Sequence, residues 1–190
     1  MQKLYDFIES ISLPVLFITV TILFFFRIVV VDGDSMMNTL HHQEKVITFN
    51  FFYTPEKGDI VVTDSHNGYG HPIIKRVIAT GGDTIKIDFE TGDVFVNGTL
   101  LSEEYIFEKI QPEPRDNIEL IIPEGYLFLM GDNRNHSTDS RDFRLGVVDE
   151  RCVIGKATVT MGKPTFRLFP IDKLCLIPFE KFSIIENPLK

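Results

Sequence analysis

The chain has 190 residues, a formal net charge of −8, 44% hydrophobic content with 17 phenylalanines, and two cysteines. That length accommodates one membrane-sized helix and one domain of roughly 160 residues, large enough to bury a core without staples. The acidic balance argues against a nucleic-acid partner and against a polybasic membrane contact. Cys152 and Cys175 show no CxxC or Cys/His spacing, so they define no zinc site and leave open two thiols or one pair.

Residues 11–31 are apolar apart from Ser12, Thr19, Thr21 and Arg27. At 1.5 Å per residue they span about 31 Å, the thickness of a hydrocarbon core, with Arg27 near the end able to snorkel. Residues 1–31 therefore read as an N-terminal segment carrying a single transmembrane anchor, and 32–190 as the domain it tethers. A cleaved signal peptide, cut after Gly33, and a buried soluble helix are the rivals; the long apolar run and weakly charged leader favour retention. Lys3 and Arg27 offset Asp6 and Glu9, so charge does not orient the anchor, and the short N-terminal side favours N-inside with the domain outside.

Beyond the anchor, short β-branched and aromatic runs alternate with turn residues. Strands are expected over 46–52, 60–63, 73–79, 84–89, 94–96, 126–130 and 153–161, with hairpin turns at Glu90-Thr91-Gly92-Asp93 and Asn97-Gly98. The fold class is mostly β, an antiparallel sheet or barrel-like domain behind a single transmembrane helix. Within 88–125 the expectation is a hairpin followed by a long acidic surface excursion, 102–124, broken by Pro112, Pro114 and Pro123. The tail from Thr165 mixes prolines with Phe166, Phe169, Leu174, Phe179 and Phe182, and is expected to pack on the sheet or skirt the anchor.

Three polar clusters carry the possible chemistry. Ser35 stands in Gly33-Asp34-Ser35-Met36-Met37, four residues past the apolar stretch and so within about 13 Å of its end. A serine needs a neighbour to take its proton. His41, His42, His66, His71 and His136 show no recognisable partner spacing for a Ser-His-Asp triad. Lys75 is the other candidate base, because strand alternation groups it with Ile73 and Val77, and apolar burial lowers a lysine pKa. An edge-strand lysine on a solvated face is the competing reading. The polar run after residue 130 contains Ser137, which could orient the amine, and Asp139 and Arg141, which could brace it. A solvated loop is the alternative there.

Taken together these clusters resemble type I signal peptidases, membrane-bound Ser-Lys proteases that remove signal peptides from exported proteins. The resemblance runs through Gly33-Asp34-Ser35-Met36-Met37-Asn38-Thr39-Leu40, Gly58-Asp59-Ile60-Val61-Val62, Lys75-Arg76-Val77-Ile78-Ala79-Thr80-Gly81-Gly82-Asp83, and Gly131-Asp132-Asn133-Arg134 through Ser137, Asp139, Ser140 and Arg141. It covers residues 11–160. It implies Ser35 as nucleophile, Lys75 as general base, Ser137, Asp139 and Arg141 in support, and an oxyanion site at the Ser35 backbone N–H beside Gly33. It also implies Met36 and Met37 as substrate-pocket liners, and no metal or organic cofactor. The partners it implies are preproteins bearing signal peptides, met in the bilayer, with the catalytic domain on the extracytoplasmic face of a single-pass membrane protein. Asn38 stands where the family usually has proline, and Gly33 where some members have serine. A tethered, non-catalytic β module that binds a protein partner is the alternative function, and a self-cleaving Ser-Lys protease of the repressor type is an enzymatic one.

Overall fold

The computed structural model describes residues 2–162 and 183–189. An α-helix, α1 (Gln2–Phe25), opens the chain, and its apolar side chains from Phe7 to Phe24 are exposed on all sides. No polar stripe faces a core, which is the pattern of a helix meant for lipid rather than for packing. Its segment Tyr5–Phe25 is long and apolar enough to cross a membrane.

The helix stops earlier than the apolar run does. Phe26-Arg27-Ile28-Val29-Val30 is β1 (Phe26–Val30), paired antiparallel residue by residue with β2 (Lys45–Phe49), from Phe26 opposite Phe49 to Val30 opposite Lys45. Aromatic and β-branched side chains suit a pleated ladder better than a last helical turn. The sheet thus begins six residues before the expected 31/32 boundary, and Arg27 lies in a strand rather than in a final turn of the anchor.

The remaining strands are β3 (Ile60–Thr63), β4 (Ile73–Thr80), β5 (Thr84–Asp88), β6 (Asp93–Val96), β7 (Thr99–Leu100), β8 (Ile118–Ile121), β9 (Tyr126–Met130), β10 (Val148–Asp149), β11 (Val153–Thr160) and β12 (Ser183–Ile184). The main sheet runs β1-β2-β11-β3-β4-β9-β10, with β12 beside the far end of β11, every pair antiparallel. Register shifts in β11 and β4 bend it, yet among the described residues β1 and β10 each have a partner on one side only and the barrel-like sheet does not close. A second sheet runs β7-β6-β5-β8.

That second sheet corrects the expected surface excursion. Ile118 and Leu120 of β8 turn inward, and Ile110 and Ile122 are buried with Ile85, Ile87, Phe89, Val94 and Val96 in a core shared with Ile78, Ala79, Phe128 and Met130 of the main sheet. Burial alternates over 118–121, with Ile118 and Leu120 half-buried and Glu119 and Ile121 exposed, and the nearby prolines lie outside the strand. Two further cores serve the main sheet. Val31, Met36, Leu40, Val46, Ile60, Val62, Ile74 and Ala157 form one, and Val61, Val77, Leu127, Leu129, Leu145, Val148 and Cys152 the other. Ile74 and Val77 fall in different cores, as their alternation along β4 requires.

The C-terminal segment 183–189 returns to the sheet. Ile185 packs with the Met36 core, and Asn187 Nδ2 donates to Lys57 O at 2.9 Å and Asp59 Oδ1 at 2.7 Å. Cys152 is a buried free thiol. Cys175 and the aromatic run from Phe166 to Phe182 lie outside the described residues.

Candidate active site

Three elements converge on Ser35. The first is the loop 32–44 between β1 and β2. Its neck is closed where Val31 N–H donates to Glu44 O and Gln43 N–H donates to Val31 O, both at 2.8 Å. Beyond Ser35 the chain coils tightly, with Met37 N–H on Asp34 O and Leu40 N–H on Met36 O. Met36 and Leu40 drop into the core and pin that coil. Ser35 itself is half-buried at the top.

The second element is β4, an interior strand flanked by β3 and β9. Lys75 lies opposite Val61 and is only 4% exposed. Its Nζ donates to Ser35 Oγ at 2.7 Å and to Ile74 O at 3.0 Å. Burial pushes its pKa down to about 8; the carboxylates of Asp139 and Asp132 oppose the fall and Arg141 assists it. The solvated edge-strand reading of Lys75 is therefore wrong, for a plain reason: its strand has a neighbour on each side.

The third element is the polar run after β9. Asp139 is completely buried, accepting from Gly131 N–H at 2.9 Å and from Arg141 Nε and Nη2, both at 2.8 Å. Burial pushes its carboxyl up, but the Arg141 guanidinium and the Gly131 N–H together hold it below the ordinary range. Arg141 Nη2 also donates to Arg134 O, at 2.6 Å, which folds the run on itself. The run is a buried hydrogen-bonded frame and not a solvated loop.

Ser137 departs from the expectation. Its Oγ is buried against Gly131, close to Asp139, but sits in no well-aligned hydrogen bond and does not reach Lys75. The amine takes its second contact from the backbone carbonyl of Ile74 instead. Met36 is wholly buried in the core and Met37 half-buried, so of the two only Met37 meets the surface. Among the described residues no acceptor takes the Ser35 N–H.

Several residues that hold this geometry lie within the quoted motifs but carry no role in the sequence reading. Asn133 N–H donates to Ser35 O at 3.0 Å and its Nδ2 to Asp34 O at 3.1 Å, gripping the loop on both sides of the reactive serine. Arg76 pairs with Asp132 through Nε to Oδ1 at 2.8 Å and Nη2 to Oδ2 at 2.6 Å, while Nη1 donates to Gly58 O. Thr39 Oγ1 donates to Asp132 Oδ2, which joins the loop to this pair. Gly131 makes the close approach possible. A Cβ there would stand 2.5 Å from Ser35 O and would overlap Ser137 Oγ. Of the histidines, none donates to or accepts from Ser35 Oγ among the described residues; His66 instead pairs with Asp64 at 3.0 Å.

The sequence matches the family model described as signal peptidase, peptidase S26, over residues 4–161. The chain belongs to this family. Among curated relatives, the signal peptidase I of Bacillus licheniformis is 31% identical over 91% of this chain and 92% of its own length. A probable signal peptidase I-1 of Synechocystis is 32% identical, over 89% and 86% respectively. A crystal structure of a signal peptidase I from Enterococcus faecalis is 29% identical and covers 57% of this chain and all of its own, with a TM-score of 0.47. Family S26 membership makes the chain a serine peptidase, a hydrolase, which removes the non-catalytic tethered module from consideration.

Proposed function

We propose that the chain removes signal peptides from exported preproteins with Ser35 as nucleophile and Lys75 as general base. The observation that carries this reading is the 2.7 Å approach of Lys75 Nζ to Ser35 Oγ by an amine that is 4% exposed. With a pKa of about 8, roughly one amine in ten is uncharged at pH 7 without any further help. That neutral amine accepts the hydroxyl proton as Oγ attacks the carbonyl before the cut. The developing oxyanion meets the Ser35 N–H, a donor with no other partner among the described residues. The tetrahedral adduct collapses, the amine of the mature protein leaves with the proton from Lys75, and an acyl-enzyme stays on Ser35. Lys75 then deprotonates a water, which attacks the ester and releases the signal peptide as a carboxylate.

In this reading α1 crosses a bilayer and the sheets stand on the extracytoplasmic side, where preproteins emerge. Enzyme and substrate then share one membrane, so effective concentration substitutes for strong individual contacts. The substrate segment enters as an added strand at the outer edge of β1, which has no neighbour there among the described residues and leads directly to Ser35. The test is cleavage of a preprotein in detergent by Ser35→Ala and Lys75→Ala variants. Both are expected to lose activity by several orders of magnitude, and near-wild-type turnover in either removes the pair from the reaction.

A further inference from the structure

We infer that His42 is a positioning residue for the Ser35 loop, acting through one hydrogen bond to the backbone of Gly33. The inference rests on Ser35 being the nucleophile. Gly33 N–H donates to His42 Nδ1 at 3.0 Å. On its amino-terminal side the loop is secured at Val31, by the two neck bonds to Glu44 and Gln43; Asp34 O and Ser35 O are secured by Asn133. Asp32 and Gly33 bridge those two fixed points. Gly33 sits at a φ of +88°, and a Cβ there would meet nothing within 4 Å, so packing does not hold it. Among the described residues the imidazole is the one hydrogen-bonding partner of its N–H. His42 therefore adds a third rung above the neck, two residues before the reactive hydroxyl.

The bond fixes the chemistry of the ring. To accept from an N–H, Nδ1 must be unprotonated, which places the hydrogen of the neutral imidazole on Nε2. The charged group facing the ring is Asp32, whose Oδ1 stands 3.5 Å from Nδ1. With side-chain exposures of 47% for His42 and 97% for Asp32, that pair is a weak competitor for the nitrogen. The donor role belongs to the backbone of Gly33, and the acceptor role to one named ring atom. Nothing in the loop sequence marks the pairing in advance, because nine positions separate the partners.

Isosteres separate a positional role from a merely structural one. In His42→Asn the side-chain carbonyl falls where Nδ1 was, whereas in His42→Gln the amide reaches toward the place of Nε2. Turnover of a preprotein in detergent is expected to fall about three- to tenfold in His42→Ala and His42→Gln, to stay within about twofold in His42→Asn, and to show unchanged KM throughout. Long-range proton–nitrogen NMR correlations on the wild-type chain are expected to show an unprotonated Nδ1 at His42. Equal turnover in the Asn and Gln variants, or a hydrogen on Nδ1, overturns the inference. Ser35→Ala run alongside keeps the two readings apart. Full activity in that control defeats the nucleophile assignment itself, whereas an inactive control with indistinguishable His42 variants defeats only the role of His42. Because the NMR measurement uses the unaltered chain, a misfolded variant does not remove the test.

Discussion

Arg76 and Asp132 form a two-pronged ion pair sealed from solvent, with side-chain exposures of 1% and 0%. Tyr105 lies over the guanidinium at 4.2 Å, and Gly58 O and Thr39 Oγ1 accept two more of its hydrogens. The pair ties β4, next to the reactive lysine, to the polar run after β9 and to the serine loop. Removing one partner leaves a bare buried charge. Asp132→Leu and Arg76→Met are each expected to lower stability by about 3–5 kcal/mol, and the two combined to recover most of that loss. Denaturant unfolding of the two single variants and the double variant checks this; a double variant as unstable as the worse single one contradicts it.

Lys75 connects pH to both rate and stability. Because its folded pKa is depressed to about 8, activity is expected to climb as pH rises through 8 and to level above it. The stability consequence has the opposite flavour from an ion pair. Between about 8 and 10.5 the unfolded chain holds the proton that the folded chain has released, so stability rises with pH across that window. Below 8 the burial penalty is complete. Lys75→Met is thus expected to abolish cleavage while raising stability at pH 7 by up to about 3 kcal/mol, with the gain shrinking toward pH 10. Unfolding curves of wild type and Lys75→Met at pH 7 and pH 10 give the answer, and a destabilised variant at pH 7 refutes it.

Asp139 acts on the same amine from a distance. Its carboxylate favours the ammonium form of Lys75. Neutralising it by Asp139→Asn is expected to move the rising limb of the pH–rate profile to lower pH, even as the loss of the Arg141 pairing costs stability. A limb that stays in place, or moves up, shows that the two groups do not communicate.

Gly131 tests how narrow the tolerance of the site is. Gly131→Ala brings a methyl group against Ser35 O and Ser137 Oγ, and backbone cannot retreat as a flexible side chain can. Displacing the serine by even a fraction of an ångström spoils its alignment with the amine. Turnover is expected to fall about a hundredfold, with the protein remaining folded by circular dichroism. A rate within threefold of wild type shows that Ser35 adjusts.

Much of this was legible in the sequence. Strands 60–63 and 126–130 coincide with their expected spans, because each is a β-branched or aromatic run with glycine or an acidic residue at its limits. The nearness of Ser35 and Lys75 followed from family resemblance; strand alternation alone supplied only the face of Lys75. What escaped has a common cause. β1 was hidden inside a longer apolar run, since hydropathy does not distinguish a lipid-facing helix from an exposed strand that follows it. β8 was hidden by nearby prolines. The pairs His42 with Gly33, Asn133 with Ser35, and Thr39 with Asp132 join residues whose meeting depends on how loops close, and local patterns carry no such information.

The junction at Phe25 and Phe26 has a mechanical consequence. Helix passes into paired strand without an intervening hinge, and the ten positions to Ser35 reach at most about 33 Å. With α1 embedded as proposed, the cutting point is carried on a stiff post rather than a leash. In that arrangement the height of Ser35 over the lipid is bounded by the length of the chain that joins it to α1.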